Sequence, residues 1–412
     1  MTAPSPRVLD GIRVFDMTQV LAGPACTSML GALGAEVIKV ESSARMDQTR
    51  RIGVAEDVNA SPTFHTNNYN KRSIALNLRA EGGVELAQQL ISHCDVVVEA
   101  FRPGVLERLG LDYDALRELK PNLLMVSISG SGQDGPEARY GAYAAIFAAL
   151  GGLAYLTAYQ DGIPTEWRGS VDQRVGVTAF QAALAGIHRL RRTGLGGHID
   201  VSGRETTTTL IGNALISAQA SATAPEPMGN EDRIMAPHGC FLTADPESWV
   251  ALEVGSDAEW EALCEVSGLA ASQDDERFGD GFRRWKHREE LNALVREWMR
   301  TQDALDVVAR LQARGVVAAP SYRMDQVAED EHLRSRSAFR RYPMSDSAAP
   351  DGGEPTYFHL MGAPWSFDGS RDDVYEIRKM SDFATDNEYV YRELVGLSET
   401  RYRELVEAGV ID

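Results

Sequence analysis

Several patterns that mark large classes of protein are scarce in this 412-residue chain, and each shortage excludes something. There are only four cysteines, Cys26, Cys94, Cys240 and Cys264, scattered without a CxxC pair. That argues against a disulfide framework or a structural zinc site and fits a reducing cytoplasm. The eight histidines include no HExxH and no close pair at ligand spacing, so no metal is expected; His188, beside Arg189, Arg191 and Arg192, reads as part of a solvated helix end. Positive charge is in deficit, with 41 basic against 60 acidic residues and a net charge of -19. Such a field repels nucleic acid and anionic membrane, so neither is an expected partner. No GxSxG elbow and no GK[ST] phosphate loop is present, which removes the usual serine hydrolase and P-loop readings. Long apolar runs are missing too. Met1 to Val20 carries Arg7, Asp10, Arg13 and Asp16 with no continuous apolar core, so a signal peptide is not expected. Two uncharged stretches, Tyr140 to Gln160 and Thr206 to Pro225, are interrupted by glycines, tyrosines and polar residues and read as buried soluble elements rather than membrane spans.

What is present is an alternation of β-branched runs with amphipathic stretches. Strands are expected at Arg13 to Met17, Glu36 to Glu41, Ser73 to Leu78, Val96 to Phe101 and Leu123 to Ser129. Helices are expected at Ala25 to Leu33, Gly83 to His93 and Tyr113 to Leu119. Strand, helix, strand in that order predicts an α/β fold with an open parallel sheet, and a ligand beyond the strand ends. The length suggests two domains. The pattern shifts near residue 220, where a smaller α+β domain over residues 221–330 is expected, with a strand pair after Pro237, charged helices between Asp257 and Arg314, and the apolar segment GVVAAP. Residues 1–220 supply the first part of a large α/β domain, and 331–412, ending in an amphipathic helix at Glu399 to Ala408, are expected to return to it.

Gly130-Ser131-Gly132-Gln133-Asp134-Gly135 spells GxGxxG directly after a strand. Pro136 follows at once, no helix pattern opens on the glycines, and no acidic residue stands about 20 residues on, so a dinucleotide site is not supported. The residue that stands out is Asp172, in Trp167-Arg168-Gly169-Ser170-Val171-Asp172. It precedes a helix over residues 173–192 whose Val177, Phe180, Leu184 and Ile187 recur at helical spacing, which places Asp172 at the N-cap. The bland role of such an aspartate is to cap the helix. The chemical one is nucleophilic, since a carboxylate needs no base to activate it.

The order of motifs settles which role to expect. The chain resembles the family III CoA-transferases, the group of formyl-CoA transferase and carnitine CoA-transferase, in LDGIRVFDMTQVLAGPACTSMLGALGAEVIKVE at 9–41, NKRSIALNL at 70–78 and VVVEAFRPGVLERLGLDYDAL at 96–116. The likeness continues through SISGSGQDGP at 127–136, TGLGGHIDVS at 193–202, APHGCFLTAD at 236–245 and GLSETRYRELVEAGVI at 396–411. The resemblance implies an intertwined, ring-like homodimer, a heteromer being the alternative, with a large domain built from both chain ends. It implies that Asp172 is the catalytic nucleophile. It also implies CoA contacts at Leu21, Ala22, Leu76, Asn77, Arg79, Ala100, Phe101, Arg102, Arg108 and Tyr143. No tightly bound cofactor is implied; a coenzyme A thioester is the substrate and a small carboxylic acid the acceptor. The chain departs from the family at Ala100, where asparagine is usual, at Ala144, where aspartate is common, and at Ser42, where some relatives carry a phosphate-binding arginine.

The residues add their own reading. CoA carries phosphates and calls for arginine or lysine even on an acidic protein. Residues 71–108 hold five basic and five acidic residues, a neutral window in a strongly negative chain. The implied chemistry moves CoA between two acids through an aspartyl anhydride and an aspartyl-CoA thioester. Backbone N–H groups of Gly130, Gly132, Gly135 or Gly229 are candidate oxyanion donors, and the turn Met228-Gly229-Asn230 a candidate closing loop. Trp167, Tyr155 and Tyr159 suit an apolar acid, Arg168 or Arg174 a second carboxylate; the donor and acceptor stay open. One alternative is an acyl-CoA racemase of the same fold, which needs a histidine where this chain reads Gly141-Ala142-Tyr143-Ala144. Another is a non-catalytic subunit of a heteromer.

Overall fold

A computed structural model describes residues 7–52, 57–159, 162–165, 167, 169–221, 223, 225–269, 275–343, 357–370 and 374–412. Residues 1–154, 166–224 and 335–412 form one compact unit, and 155–165 with 225–334 a second. The stretch 155–165 thus departs from the continuous 1–220 block expected from composition.

The first unit is organised by a parallel sheet of six strands: β1 (Arg13–Asp16), β2 (Glu36–Glu41), β3 (Lys71–Ala75), β4 (Val96–Glu99), β5 (Leu124–Ser129) and β6 (Gly197–Ser202). Their spatial order is β3-β2-β1-β4-β5-β6. Val14 on β1 lies opposite Val37 on one side and Val96 on the other, and Phe15 opposite Ile38 and Val97. Successive side chains point to opposite faces. Val14, Val37, Val96 and Leu124 therefore enter one core, and Phe15, Ile38, Val97 and Met125 the other. Burial on both faces is why these strands read as unbroken apolar runs.

Four helices, α1 (Ala22–Ala32), α2 (Gly83–Ser92), α3 (Tyr113–Leu119) and α4 (Ser170–Thr193), cover the sheet. Cys26 and Leu30 of α1 pack with Val171 and Val175 of α4 in the first core; Leu86 and Leu90 of α2 join Leu116 of α3 in the second. The C-terminal residues complete that second core through Val390, Tyr391, Leu405 and Ile411. They are tied to the edge strand by Arg72–Asp386 at 3.0 Å and by the Tyr391 hydroxyl, which donates to the Ala75 carbonyl at 2.8 Å.

Three expectations are corrected. Helix α4 starts at Ser170, so Asp172 is its third residue and not its cap; Gly169, at φ +62°, makes the turn into the helix, a conformation easy only for glycine. The buried row of α4 is Val171, Val175, Ala179, Ala183 and Ile187, while Phe180 and Leu184 are only half-buried. Small residues are needed there because α1 comes close: a Cβ on Gly176 would sit 2.6 Å from the Ala22 carbonyl oxygen. Finally, the second uncharged stretch is buried only at its start, at Thr206 and Thr207; no residue of the helix Gly212–Ser221 is buried, and Ile216 is 69% exposed. Strand β6 was absent from the expected elements; it is an edge strand, half exposed, whose His198 and Asp200 disguise its apolar alternation.

The second unit holds an antiparallel sheet of β7 (His238–Leu242), β8 (Trp249–Glu253) and β9 (Val317–Pro320). Helices Asp257–Ser267, Arg288–Met299 and Ala304–Gln312 close its core of Phe241, Val250, Leu252, Trp260, Leu263, Val295 and Leu311. A Ser256–Glu259 capping box fixes the start of the first of these helices.

Candidate active site

Between β1 and β4 the winding of the sheet reverses, with β2 and β3 laid down on one side and β5 and β6 on the other. Ligands of open α/β sheets bind at such a reversal, outside the carboxyl ends of the strands. A cavity of about 840 Å³ lies there. Its wall takes Met17 from the end of β1, Ser42 from β2, Leu76 and Asn77 from β3, Ala100 and Phe101 from β4 and Ser129 and Gly130 from β5. The volume falls within the range of small-molecule and cofactor sites.

The eleven residues that the family resemblance implies as nucleophile and CoA contacts all line this one cavity: Leu21, Ala22, Leu76, Asn77, Arg79, Ala100, Phe101, Arg102, Arg108, Tyr143 and Asp172. They come from six separate stretches of chain. Asn77 is partly committed, since its side-chain amide donates to the Gly409 carbonyl at 3.3 Å and its own carbonyl oxygen accepts from the Arg79 N–H.

Two carboxylates line the cavity, and they differ. Glu41 is fully engaged: the Arg50 guanidinium reaches it at 2.7 Å and the Asp47 N–H donates to it at 2.8 Å. Asp172, half-buried, has no hydrogen bond or ion pair among the described residues, and burial alone pushes its pKa up to about 6. It is therefore largely ionised at neutral pH, desolvated and uncommitted. Capping does not consume it, which removes the bland account of this aspartate.

Of the five basic residues in the neutral window, Lys71 is buried against Asp16 at 2.9 Å, and Arg72 pairs with Glu36 and Asp386. The other three, Arg79, Arg102 and Arg108, line the cavity and make no ion pair among the described residues. Arg45, which sequence reasoning missed, joins them with its guanidinium carbon 5.9 Å from the Phe101 ring centroid. It stands three residues beyond Ser42, an offset that only coordinates bring back to the same wall. Phe101 is half-buried against the second core and still presents a face to the cavity. Of the departures, Ser42 lines the cavity, whereas Ala144 is buried in the first core.

The candidate oxyanion donors separate. Gly130 lines the cavity; Gly132 and Gly135, at φ +92° and +89°, are turn residues that do not. Gly229 belongs to the second unit, where its N–H already donates to the Ala158 carbonyl at 3.2 Å. No helix opens on the glycine-rich segment. The described residues proposed for the acceptor acid are not in the wall either. Trp167 packs against the first core, Tyr155 and Tyr159 are exposed in the second unit, Arg174 is exposed on α4, and Arg168 lies outside the described residues. Among the described residues no cluster of His, Cys, Asp or Glu could hold a metal ion, and no helix is long and apolar enough to cross a membrane.

An open α/β sheet whose reversal point carries a cavity lined by arginines and a carboxylate without ionic partners among the described residues suits an anionic ligand. The family model described as CoA-transferase family III matches residues 9–375, and the chain belongs to that family and is a transferase enzyme. It is similar to acetyl-CoA:oxalate CoA-transferase of Acetobacter aceti, 35% identical over 80% of this chain and 84% of that protein. It is also similar to succinate–glutarate CoA-transferase of Agrobacterium fabrum, 32% identical over 80% and 83%. Among solved structures, a CAIB/BAIF family protein from Brucella suis superposes with a TM-score of 0.82 at 28% identity, covering 95% of this chain and all of that one.

Proposed function

We propose that this protein transfers CoA from an acyl-CoA donor to a small carboxylic acid, with Asp172 as nucleophile. The observation that carries the reading is the presence, in one cavity, of an uncommitted half-buried carboxylate and four arginines free of ion pairs among the described residues. Arg45, Arg79, Arg102 and Arg108 suit the phosphates of CoA, and Phe101 offers a ring face for its adenine.

Asp172 attacks the thioester carbonyl and expels CoA thiolate, which leaves a mixed anhydride. The thiolate then attacks the aspartyl carbonyl, releasing the donor acid and forming an aspartyl-CoA thioester. The incoming carboxylate attacks that thioester and expels CoA thiolate again; the thiolate takes the new acyl group and frees Asp172. Each step exchanges one activated acyl bond for another, so little energy is lost. Water must stay out meanwhile, and the Gly130 N–H is the remaining candidate donor for an oxyanion at the cavity wall.

The named substrates of the two similar enzymes, oxalate and glutarate, support a dicarboxylic acid as acceptor. The family resemblance supports an intertwined homodimer working in the cytoplasm. A racemase is less well supported, because no histidine is found among the described residues that line the cavity. The test is to incubate the protein with succinyl-CoA or acetyl-CoA and a panel of dicarboxylic acids and to follow new thioesters by chromatography. Exchange is expected with the native protein and not with Asp172→Ala. Exchange retained by Asp172→Ala would refute the assignment.

A further inference from the structure

Behind the cavity wall lies an ion pair that the chemistry above does not use. Lys39 on β2 and Asp47 are both 0% exposed and 3.1 Å apart. Each charge also holds one backbone group of the same short loop. The Lys39 ammonium donates to the Thr18 carbonyl at 2.8 Å, and both Asp47 carboxylate oxygens accept from the Val20 N–H at 3.2 Å. Between those two anchors Val20 is held at φ +73°. A β-branched residue is strained there, and such a conformation persists only when its surroundings over-determine it.

The loop leads to the proposed chemistry on both sides. Gln19, Val20, Leu21, Ala22 and Gly23 all line the cavity. The Ala22 carbonyl oxygen lies where a Cβ on Gly176 would approach to 2.6 Å, one turn beyond Asp172 on the same helix. Behind it, a Cβ on Gly23 would meet Thr18 at 2.5 Å, so the loop has no slack. The pair is itself anchored. The Asp47 N–H donates to Glu41 at 2.8 Å, and the Asp47 carboxylate accepts from the Thr49 N–H and hydroxyl.

We infer that the buried Lys39–Asp47 pair is a positioning device, which holds the loop Thr18–Gly23 in a strained shape so that its backbone faces the cavity beside Asp172. Neither residue lines the cavity, so both act through the loop. The inference rests on the proposed function for the meaning of the cavity, but the loop's rigidity can be read without any ligand.

The experiment uses the full chain with Asp47→Asn, the double variant Lys39→Met/Asp47→Asn, and Asp172→Asn. The double variant removes both charges of the pair, so neither is left buried alone, and it keeps the readout available even where Asp47→Asn fails to fold. Amide hydrogen exchange of residues 18–23, followed by mass spectrometry without ligand, is expected to quicken about tenfold or more in the double variant and in folded Asp47→Asn, and to stay slow in Asp172→Asn. CoA itself, titrated calorimetrically, is expected to bind those two loop variants about tenfold more weakly and Asp172→Asn as tightly as native protein. Native exchange rates in the loop of Lys39→Met/Asp47→Asn would overturn the inference, as would faster exchange with unchanged CoA affinity. Failure of the functional reading looks different: Asp172→Asn would keep its transferase activity while the loop variants lost protection.

Discussion

Two groups of charges meet around the cavity, and the protein treats them in opposite ways. Beneath the cavity, with Glu41 reaching its wall, Asp16, Lys39, Glu41, Asp47, Arg50 and Lys71 are each no more than 3% exposed, and they pair at 2.7 to 3.1 Å as Lys39–Asp47, Arg50–Glu41 and Lys71–Asp16. On the wall, Asp172, Arg45, Arg79, Arg102 and Arg108 have no ionic partner among the described residues. Burial drags Lys71 down to about 8 despite Asp16, whereas Asp47, Asp16 and Glu41 together outweigh burial and hold Lys39 up. Asp172 has only burial acting on it. Charge satisfied within the chain is architecture, and charge left over is addressed to something that arrives. In a chain of net -19, four arginines that line one cavity without an ionic partner among the described residues are such a surplus.

The sharpest break between the two groups is in stability. Glu41→Ala leaves the Arg50 guanidinium buried without its partner and is expected to destabilise the fold by about 3–5 kcal/mol in urea denaturation, with most of that recovered by adding Arg50→Met. A loss under about 1 kcal/mol would put Glu41 with the surplus charges instead.

Asp172 should behave in the opposite sense. Its folded pKa of about 6 lies above its unfolded value, so the native state binds a proton more tightly, and stability falls as pH rises from about 4 to about 6. Allowing for solvent screening at a half-buried site, Asp172→Asn is expected to stabilise the protein by about 1–2 kcal/mol at pH 8, with the gain vanishing below about pH 4. A destabilised Asp172→Asn at pH 8 would mean that the carboxylate has a structural partner after all.

Arg102→Ala and Arg108→Ala are expected to weaken CoA binding about tenfold each, more at low than at high salt, with unchanged denaturation midpoints. A fall in midpoint without a change in affinity would move them to the architectural group. The smallest effect is on rate: with ionised Asp172 as the proposed nucleophile, kcat/KM is expected to rise with pH to a plateau, with a half-point at about 6.

Much of this was legible before any coordinates, and the gaps have physical causes. Runs such as EVIKVE and DVVVEAF announce strands buried on both faces, and Glu36–Glu41 and Tyr113–Leu119 form where the pattern puts them. Edge strand β6 was missed because one of its faces meets solvent and its apolar count is low. The start of α4 was placed late because Ser170 and Val171 carry no helix signal, and its buried face was misread because close approach to α1 selects Gly176, Ala179 and Ala183 over larger residues. The likeness to a family supplied eleven site residues that the fold gathers on one cavity. Arg45 escaped because its place on that wall depends on how the segment after β2 turns, which no spacing rule encodes. Which arginines are surplus was also illegible, since Arg72 and Arg79 look alike until Glu36 and Asp386 are seen to claim the first.

The central claim is that Asp172 takes up an acyl or CoA group covalently. It is tested most directly by mixing the purified protein with succinyl-CoA, trapping with hydroxylamine, and locating the modified residue by peptide mass spectrometry. A hydroxamate on Asp172, absent without the thioester, is the expected result. Modification at any other residue, with Asp172 recovered unchanged while exchange proceeds, would contradict the account.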